Sequence, residues 1–322
     1  MDKYTYSIVV PAYNNQLGVT QHIEWFLKQP INESIQLIIV DDGSTVPIEI
    51  IDSPHIVLIR QQNMGVSAAR NTGIQHACGT YLAFLDSDDY YENDVLITWH
   101  SMISGEIEPD VAISPPTYQY REKDVELTKI NLVPEGIYSS QKALEFYLHK
   151  KIFSHICSIL IKRDFVEKNC LFFNSEIVLS EDILYIVECL NKAKNVYIGS
   201  NSYFNYVIEK GSATNQLATK KVLNNFKAYD EISELSCGDK LEASRNYFVA
   251  TMYIGYLIKL FENKTNDEEV IERTVSHRCY LKRKMHVPTS GRGITTLAFK
   301  LLSYMPSKLL TFLAIKSFKR DN

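Results

Sequence analysis

Several common signatures are missing from this chain of 322 residues. None of its six cysteines forms a Cys-x-x-Cys pair, which excludes zinc-ribbon and thioredoxin-type sites. Scattered single cysteines are typical of reduced thiols in a cytosolic protein. No apolar run reaches the ~20 residues that a membrane-spanning helix needs, and the first residues show no signal-peptide core. The sequence therefore predicts a cytoplasmic protein.

Two nucleotide-binding motifs and a basic excess are also missing. The chain contains neither a Walker A sequence nor a Gly-x-Gly-x-x-Gly after a predicted strand. Its 34 basic and 38 acidic residues give a formal net charge of -4, so we expect no nucleic-acid partner. Hydrophobic residues make up 45% of the chain and charged residues 22%, which excludes a disordered chain or a coiled-coil rod.

Strand and helix patterns alternate through the first third of the chain. Short apolar runs predict strands at residues 6–10, 36–40, 56–59 and 81–85, and helical spacing predicts helices at 17–28 and 66–77. Near-continuous apolar strands separated by helices indicate a parallel sheet covered on both faces, an α/β fold of the doubly wound, Rossmann-like type.

The rest of the chain is less regular and then helical. A strand at 110–113, helices at 139–149 and 183–193, and a loop opening at Pro115-Pro116 are predicted for the middle part. We place the domain boundary after residue 212. The expected division is a domain of residues 1–212, with halves 1–110 and 111–212, and a mostly helical region of residues 213–322.

Polar clusters follow three of the predicted strands, at 11–14, 41–44 and 86–89. Ligands of open parallel sheets bind at the carboxyl ends of the strands, so three clusters on one rim suggest one site. The alternative is that these residues only make turns. Carboxylates as close as Asp86 and Asp88 repel each other unless a cation lies between them. Mg²⁺ commonly joins such carboxylates to a substrate phosphate.

A further polar segment, residues 63–73, contains a glycine that opens a helix and an arginine, Arg70, on its second turn. A helix start offers free N–H groups to an anion. Arg70 can add a charge-assisted contact to a phosphate or to a neighbouring carboxylate. The alternative is a surface arginine on an amphipathic helix.

Together, these segments resemble the family 2 glycosyltransferases. The matching strings are SIVVPAYN at 7–14, IIVDDGS at 38–44, NMGVSAARNTG at 63–73 and FLDSDD at 84–89. The resemblance covers about the first hundred residues, weakens toward residue 212 and is absent beyond it. It implies the GT-A fold and inverting transfer of a sugar from a nucleoside-diphosphate donor, usually a UDP-sugar, with Mg²⁺ or Mn²⁺.

The resemblance also implies roles for the motif residues. Asp86 would approach the ribose or the donor sugar, Arg70 the diphosphate or the base, and Asp88 would bind the metal. The donor-nucleotide residues implied in this way are Pro11, Tyr13, Asp41, Asp42, Asn63, Arg70, Asp86 and Ser87.

The general base of the family is the aspartate of a later Glu-Asp pair, which here matches Glu181 and Asp182. Inverting transfer needs a carboxylate on the acceptor side to take the hydroxyl proton. We therefore expect Asp182 to be the base and Glu181 to bind or orient the acceptor. The alternative is a helix start capped by Ser180, with two acids favoured by the helix dipole.

The acceptor side departs from the family pattern. Many relatives carry an aromatic residue and a lysine where this chain reads HICSILIKR at 155–163. Both tryptophans precede Asp182 and the Gln-x-x-Arg-Trp signature is missing, which predicts addition of one sugar rather than polymerisation. Tyr206, Ser212 and Thr214 resemble a stretch that closes over the donor, or else mark a strand-to-loop exit. His22, His76, His100 and His149 are expected to be ordinary surface or core residues.

The expected function is therefore metal-dependent, inverting transfer of one sugar to a glycan, a lipid-linked glycan or a cell-wall or capsular polymer. One alternative is a sugar-nucleotide nucleotidyltransferase, although Pro-Ala-Tyr-Asn stands where that class has a glycine-rich basic loop. The other is an inactive nucleotide-sugar-binding module, which predicts a broken Asp-x-Asp motif or a missing base.

The C-terminal end, from Lys282 onward, is basic and contains two apolar stretches at 297–305 and 309–318. One interpretation is a helical hairpin packed on the body of the protein or on a second copy in a homo-oligomer. The other is an in-plane anchor on an anionic membrane, which would place the protein at the inner face of the cell membrane.

Overall fold

The computed structural model describes residues 4–208, 224–262, 267–287 and 292–304. The chain divides into two compact units, Met1–Glu209 and Lys210–Asn322. The sequence-based boundary after residue 212 lies outside the described residues, as do Ser212 and Thr214.

The N-terminal unit contains strands and helices in alternation. Its strands are β1 (Tyr4–Ala12), β2 (Ile35–Asp42), β3 (Ile56–Gln61), β4 (Gly79–Phe84), β5 (Tyr90–Tyr91), β6 (Val111–Ile113), β7 (Thr117–Tyr120), β8 (Val125–Thr128), β9 (Gly136–Ser139), β10 (Ile159–Lys162), β11 (Asn195–Ile198) and β12 (Phe204–Ile208). Its helices are α1 (Gln16–Leu27), α2 (Val66–His76), α3 (Val95–Ile103), α4 (Ser140–Leu148), α5 (Arg163–Lys168) and α6 (Glu181–Lys192).

The main sheet has the strand order β3-β2-β1-β4-β10-β6-β11-β9. Strands β1 to β4 are mutually parallel, and Val9 of β1 lies opposite Ile38 of β2 and Phe84 of β4. Their apolar side chains are buried, with Ile8, Val9 and Ile38 at 0% exposure. The predicted parallel, Rossmann-like core is confirmed, and its carboxyl ends meet at one edge.

Helix α2 approaches this sheet closely at Gly73. A Cβ at Gly73 would lie 2.1 Å from Cγ1 of Val9 in β1. Only a residue without a side chain permits this distance between helix and strand. The approach fixes how α2 lies on the parallel strands, and Arg70 lies one turn earlier in the same helix.

The second half of the sheet differs from the prediction of a purely parallel sheet. Strand β10 lies antiparallel between β4 and β6, with Leu160 opposite Ala83 and Ala112. This insertion brings residues 155–158, which form a short turn before β10, beside the end of β4. The edge strand β9 is also antiparallel to its neighbour β11. The reversal of a buried strand such as β10 leaves no mark on the apolar pattern, because the pattern is the same in either direction.

A smaller sheet, with the order β5-β12-β7-β8, was not expected from the sequence. The Pro115-Pro116 pair lies in an irregular segment, as predicted, but this segment is short and leads at once into strand β7. Strand β8 is exposed throughout and β7 is mostly half-buried. Short, polar strands of this kind give no apolar run by which to recognise them.

The described part of the C-terminal unit is helical, as predicted. Its helices are α7 (Asn225–Glu234), α8 (Asp239–Glu262), α9 (Glu268–Ser276), α10 (Cys279–Lys282) and α11 (Arg292–Leu302). Aromatic rings fill its core, where Phe226 stacks on His277 with centroids 4.0 Å apart. Tyr253 lies among the same buried rings and donates its hydroxyl to the carbonyl of Thr274 at 2.8 Å.

Among the described helices, none combines the length and the apolar character that a membrane span requires. The apolar stretch at 309–318 lies outside the described residues, so the hairpin and the membrane anchor both stay predictions.

We predict that Gly73→Ala destabilises the N-terminal unit by about 1–3 kcal/mol, because the added methyl group overlaps Val9. The steric cost outweighs the gain of about 1 kcal/mol that alanine brings to a helix. Urea unfolding followed by tryptophan fluorescence measures this unit alone, because Trp25 and Trp99 are the chain's two tryptophans. Gly105→Ala is the control, since its nearest neighbour would be 3.9 Å away. Equal midpoints for the two variants would contradict the close approach.

Candidate active site

The motif residues converge at the carboxyl edge of the parallel strands. Asp42 is the last residue of β2, Asp86 follows β4, and Arg70 lies in α2. Glu181 and Asp182, distant in the sequence, are the first two residues of α6. The parallel strands and the start of α6 therefore bring the donor motifs and the Glu-Asp pair to one place.

Arg70 is the centre of this arrangement. Its Nη2 lies 2.7 Å from Oδ1 of Asp86 and its Nη1 lies 3.2 Å from Oε1 of Glu181. The Arg70 side chain is 4% exposed, so the interpretation as a surface arginine is wrong. One guanidinium thus joins the Asp-x-Asp loop to the start of α6.

Phe173 supports this guanidinium from one face. The Arg70 carbon Cζ lies 5.3 Å from the centre of the Phe173 ring, which stacks on Tyr185 of α6 at 4.0 Å. Asn71 donates to the Phe173 carbonyl and accepts from its N–H, both at 2.8 Å. Phe173 was not identified from the sequence, because no motif marks it.

The carboxyl groups around Arg70 differ in their protonation. Burial opposes ionisation of Asp86, but Arg70 and His155 hold its pKa below the ordinary value. Burial, and then the charge of Asp182, raise the pKa of Glu181 to about 7 despite Arg70. Burial and the Asp86 charge raise the pKa of Asp89 to about 9. At neutral pH, Asp86 is therefore the anion that balances Arg70, and Asp89 is protonated.

Residues of helix α1, and Asn15 just before it, hold the Asp-x-Asp loop in place. Nε2 of His22 donates to the carbonyl of Asp86 at 3.2 Å, and burial lowers the pKa of His22 to about 4, so the ring is neutral. Asn15 donates to the carbonyl and the hydroxyl of Ser87 at 2.9 and 3.1 Å. A Cβ at Gly18 would lie 1.8 Å from the Ser87 carbonyl oxygen. His22, expected to be an ordinary residue, is buried and fixes this loop.

Asp41 and Asp42 shape the loops on either side of them. Asp42 accepts from Gln61 Nε2 at 2.8 Å and from the N–H groups of Met64 and Gly65 at 3.0 and 2.8 Å. Asp41 accepts from the N–H of Ser44 at 2.8 Å. Both carboxyl groups are buried and hold the backbone around the predicted nucleotide site.

The remaining predicted donor residues differ in exposure. Pro11 is buried in β1, whereas Asn63, Asp88 and Tyr13 are exposed, Tyr13 at 52%. Contact of any of these residues with a nucleotide stays a prediction.

Asp182 lies half-buried in the first turn of α6, where its Oδ1 accepts from the N–H of Ile183 at 2.8 Å. Ser180, at the N-cap position, has a left-handed backbone with φ of 67° and makes no side-chain capping hydrogen bond. Capping of α6 by the Ser180 side chain, the alternative to a functional Glu-Asp pair, is therefore not what forms this helix start. The two acids still lie where the helix dipole favours negative charge.

One cluster of possible metal ligands lies near the loop, and the single carboxylate of Asp88 lies apart from it. Ligand atoms of Asp86, Asp89, His155 and Cys157 lie within 4.8 Å of one another. Arg70 already engages Asp86, and burial raises the pKa of the Cys157 thiol well above its usual value, so this group does not suit Mg²⁺ or Mn²⁺. The exposed carboxylate of Asp88 does suit a hard cation that shares the oxygens of a substrate diphosphate.

Comparison with known proteins assigns the class. The model of the Glycosyl transferase family 2 matches residues 7–168, half of the chain. This protein therefore belongs to family 2 of the glycosyltransferases and is a glycosyltransferase enzyme.

Its relatives include a teichoic acid biosynthesis protein and two glycosyltransferases. The chain is 30% identical over 230 residues to the minor teichoic acid biosynthesis protein GgaB of Bacillus subtilis, covering 67% of this chain and 24% of GgaB. It is 24% identical over 260 residues to a poly(ribitol-phosphate) beta-glucosyltransferase of Bacillus spizizenii, covering 77% of this chain and 39% of that protein. An uncharacterized glycosyltransferase of Haemophilus influenzae is 28% identical and matched over 96% of its length and 78% of this chain. The chain thus spans about a quarter of GgaB.

Solved structures share the fold. The structure of S. aureus TarS 1-349 in complex with UDP-GlcNAc has a TM-score of 0.66 at 14% identity, covering 99% of this chain and 92% of that one. At this identity the likeness concerns the fold alone.

We predict that Arg70→Met destabilises the N-terminal unit by about 3–5 kcal/mol, because it leaves Asp86 and Glu181 with no cation between them. Lys142→Gln is the matched control. It breaks a half-exposed ion pair with Glu145 and should cost less than about 0.5 kcal/mol. Urea unfolding by tryptophan fluorescence compares them. If Arg70→Met lowers the free energy of unfolding no more than the control does, the ion pairs of Arg70 contribute little to stability.

Proposed function

We propose that this glycosyltransferase is metal-dependent and inverting, and that it moves one sugar from a UDP-sugar to a hydroxyl of a cell-envelope polymer. The observation that carries the proposal is the Arg70 bridge. It ties Asp86 of the donor motif to Glu181, the neighbour of the candidate base. A donor held at the Asp-x-Asp loop would then lie within reach of the acceptor-side carboxylate.

The proposal of a UDP-sugar donor is supported by the exposed residues at the carboxyl edge of the sheet and by the structural relatives. Tyr13, Asn63 and Asp88 are the exposed members of the predicted nucleotide site. The TarS structures include complexes with UDP-GlcNAc and with UDP, which supports a UDP-sugar as donor here. A divalent cation held by Asp88 would neutralise charge on the departing diphosphate.

Proton transfer falls to Asp182. Glu181 is paired with Arg70, whereas Asp182 is half-buried and accepts a hydrogen bond from the N–H of Ile183 in its own helix. General-base removal of the acceptor proton makes the hydroxyl oxygen nucleophilic. Attack opposite to the diphosphate forms one glycosidic bond, breaks the sugar–phosphate bond and inverts the anomeric centre. Glu181 would keep α6, and with it Asp182, in place.

The acceptor follows from the relatives. GgaB and the Bacillus spizizenii enzyme are named for teichoic acids and poly(ribitol-phosphate), which favours a cell-wall polymer over a lipid-linked glycan. Family membership argues against a nucleotidyltransferase. The Asp-x-Asp motif and the Glu-Asp pair are both present, which argues against an inactive module.

We predict that UDP-sugars, and not GDP-, CMP- or dTDP-sugars, bind to the protein in calorimetric titrations with Mn²⁺. Asp88→Ala should remove the Mn²⁺-dependent part of UDP-sugar binding without altering the fold, because a rim carboxylate contributes little to the core. Asp52→Ala, which removes an exposed acid elsewhere, is the control. If no nucleotide sugar binds, the proposed function is wrong. If the Asp88→Ala variant binds the UDP-sugar as tightly as the wild type in the presence of Mn²⁺, only the assignment of the metal to Asp88 is wrong.

We predict that Asp182→Asn leaves UDP-sugar affinity near the wild-type value and lowers kcat by roughly 10²–10⁴-fold, the typical contribution of a general base. Glu188→Gln, a matched change further along α6, should retain most activity. NMR of the wild-type product tests inversion separately, since a retained anomeric configuration would exclude single displacement. Near-normal turnover by Asp182→Asn would move the base elsewhere.

A further inference from the structure

A strip of aromatic side chains lies on the N-terminal unit, and the steps above make no use of it. It runs from His155 to Tyr206 and on to Tyr118, with ring centroids 5.1 and 5.7 Å apart. Lys129 continues it, since its Nζ lies 5.5 Å from the Tyr118 ring and 5.8 Å from the Phe153 ring. All five side chains are half-buried, so each presents part of its surface to solvent. We call these five residues the aromatic strip.

The backbone holds the aromatic strip in place. Tyr118 of β7 and Tyr206 of β12 are direct neighbours in a parallel strand pair. The N–H of Phe153 donates to Asn131 at 2.8 Å, and Asn131 in turn donates to the carbonyl of Gly199 at 2.8 Å. A rigid surface loses little conformational entropy on binding, which favours a binding role.

The aromatic strip and the candidate base influence each other electrostatically. Burial, two neighbouring tyrosines and the Asp182 carboxylate raise the pKa of Tyr118 to about 12. Burial lowers the pKa of His155, and the charges of Asp86 and Asp182 oppose that shift. Helix α6 also packs against the turn that follows His155. Asp182 therefore lies within electrostatic range of both His155 and Tyr118.

Among the residues that the structure describes, no acid forms an ion pair with the cation of the aromatic strip. Within the described ranges, the recorded partners of the Lys129 ammonium group are two aromatic rings, and no ion pair includes it. Lysine 142, by comparison, also lies over a ring, that of Phe146, but is paired with Glu145. An ammonium group held by rings alone can pair with an anion that a ligand brings.

We propose that the aromatic strip binds the acceptor, and that this acceptor is a polyol or sugar chain carrying phosphate groups. This inference rests on the proposed function, because it places the acceptor hydroxyl at Asp182. The rings would pack on the carbon faces of the polyol or sugar units. Lys129 would pair with a phosphate further along the chain, as a point charge. A neutral glycan could use the rings but would leave the charge of Lys129 unused.

The test is titration of a short ribitol-phosphate oligomer into the full chain loaded with UDP and Mn²⁺, with an uncharged maltooligosaccharide of equal length as the comparison. We expect the phosphate oligomer to bind more tightly and its affinity to fall with added salt. Lys129→Gln should weaken its binding about tenfold, the worth of one charged contact. Lys129→Glu should weaken binding of the phosphate oligomer further, and Tyr118→Leu should weaken binding of both oligomers. UDP affinity should not change in any variant.

Lys142→Gln, which alters a lysine that also lies over a ring, should bind both oligomers like the wild type. Equal binding of the two oligomers, or a phosphate oligomer that binds Lys129→Glu as well as the wild type, would overturn the inference. Failure of UDP to bind would instead overturn the proposed function. The UDP titration is done separately, so the two failures are distinguishable.

Discussion

The buried guanidinium of Arg70 is the interaction on which the arrangement of the site depends. A cation taken out of water is tolerated only with well-placed anionic partners, and removing one partner leaves a buried charge uncompensated. Arg70 finds its partners in Asp86, which follows β4, and Glu181, which begins α6. Neither the loop nor the helix can move away without exposing this charge. The close packing of Gly73 on Val9 also helps to position Arg70, because it fixes the helix that carries this residue.

The acidic residues at the carboxyl edge of the parallel strands are of two kinds: some are buried and hold the loops, and others are exposed. Asp41 and Asp42 accept hydrogen bonds from nearby backbone N–H groups and are buried. Asp86 faces Arg70 in the interior, while Asp88, two residues later, is exposed. Alternate residues of the Asp-x-Asp motif therefore do different work. The first fixes the loop through Arg70, and the second is the residue to which the proposed function assigns the cation.

The part of the fold that the sequence predicts is the part with local signals. Strands β1 to β4 are continuous apolar runs with helices between them, and their bounds differ from the predictions by a few residues. The reversed strand β10 and the small sheet depend on pairings between distant segments, which leave no periodic trace. The site shows the same limit: 111 positions separate Arg70 from Glu181, and no spacing rule joins them. Phe173 and His155 were missed because each acts through a contact and not through a motif.

The Glu-Asp pair acquires two roles because the two carboxyl groups meet different surroundings. Glu181 points to Arg70 and is buried enough that its pKa rises to about 7, so its charge and its position are tied to the guanidinium. Asp182 is the next residue on α6 and therefore projects about 100° away around the helix. There its charge acts on the half-buried side chains of His155 and Tyr118. A general base must be reachable by the substrate and must not be held by a permanent cationic partner. Glu181 does not meet the second condition, because it is paired with Arg70. The same ion pair that holds the Asp-x-Asp loop thus engages Glu181, and the proposed function assigns proton transfer from the acceptor to Asp182.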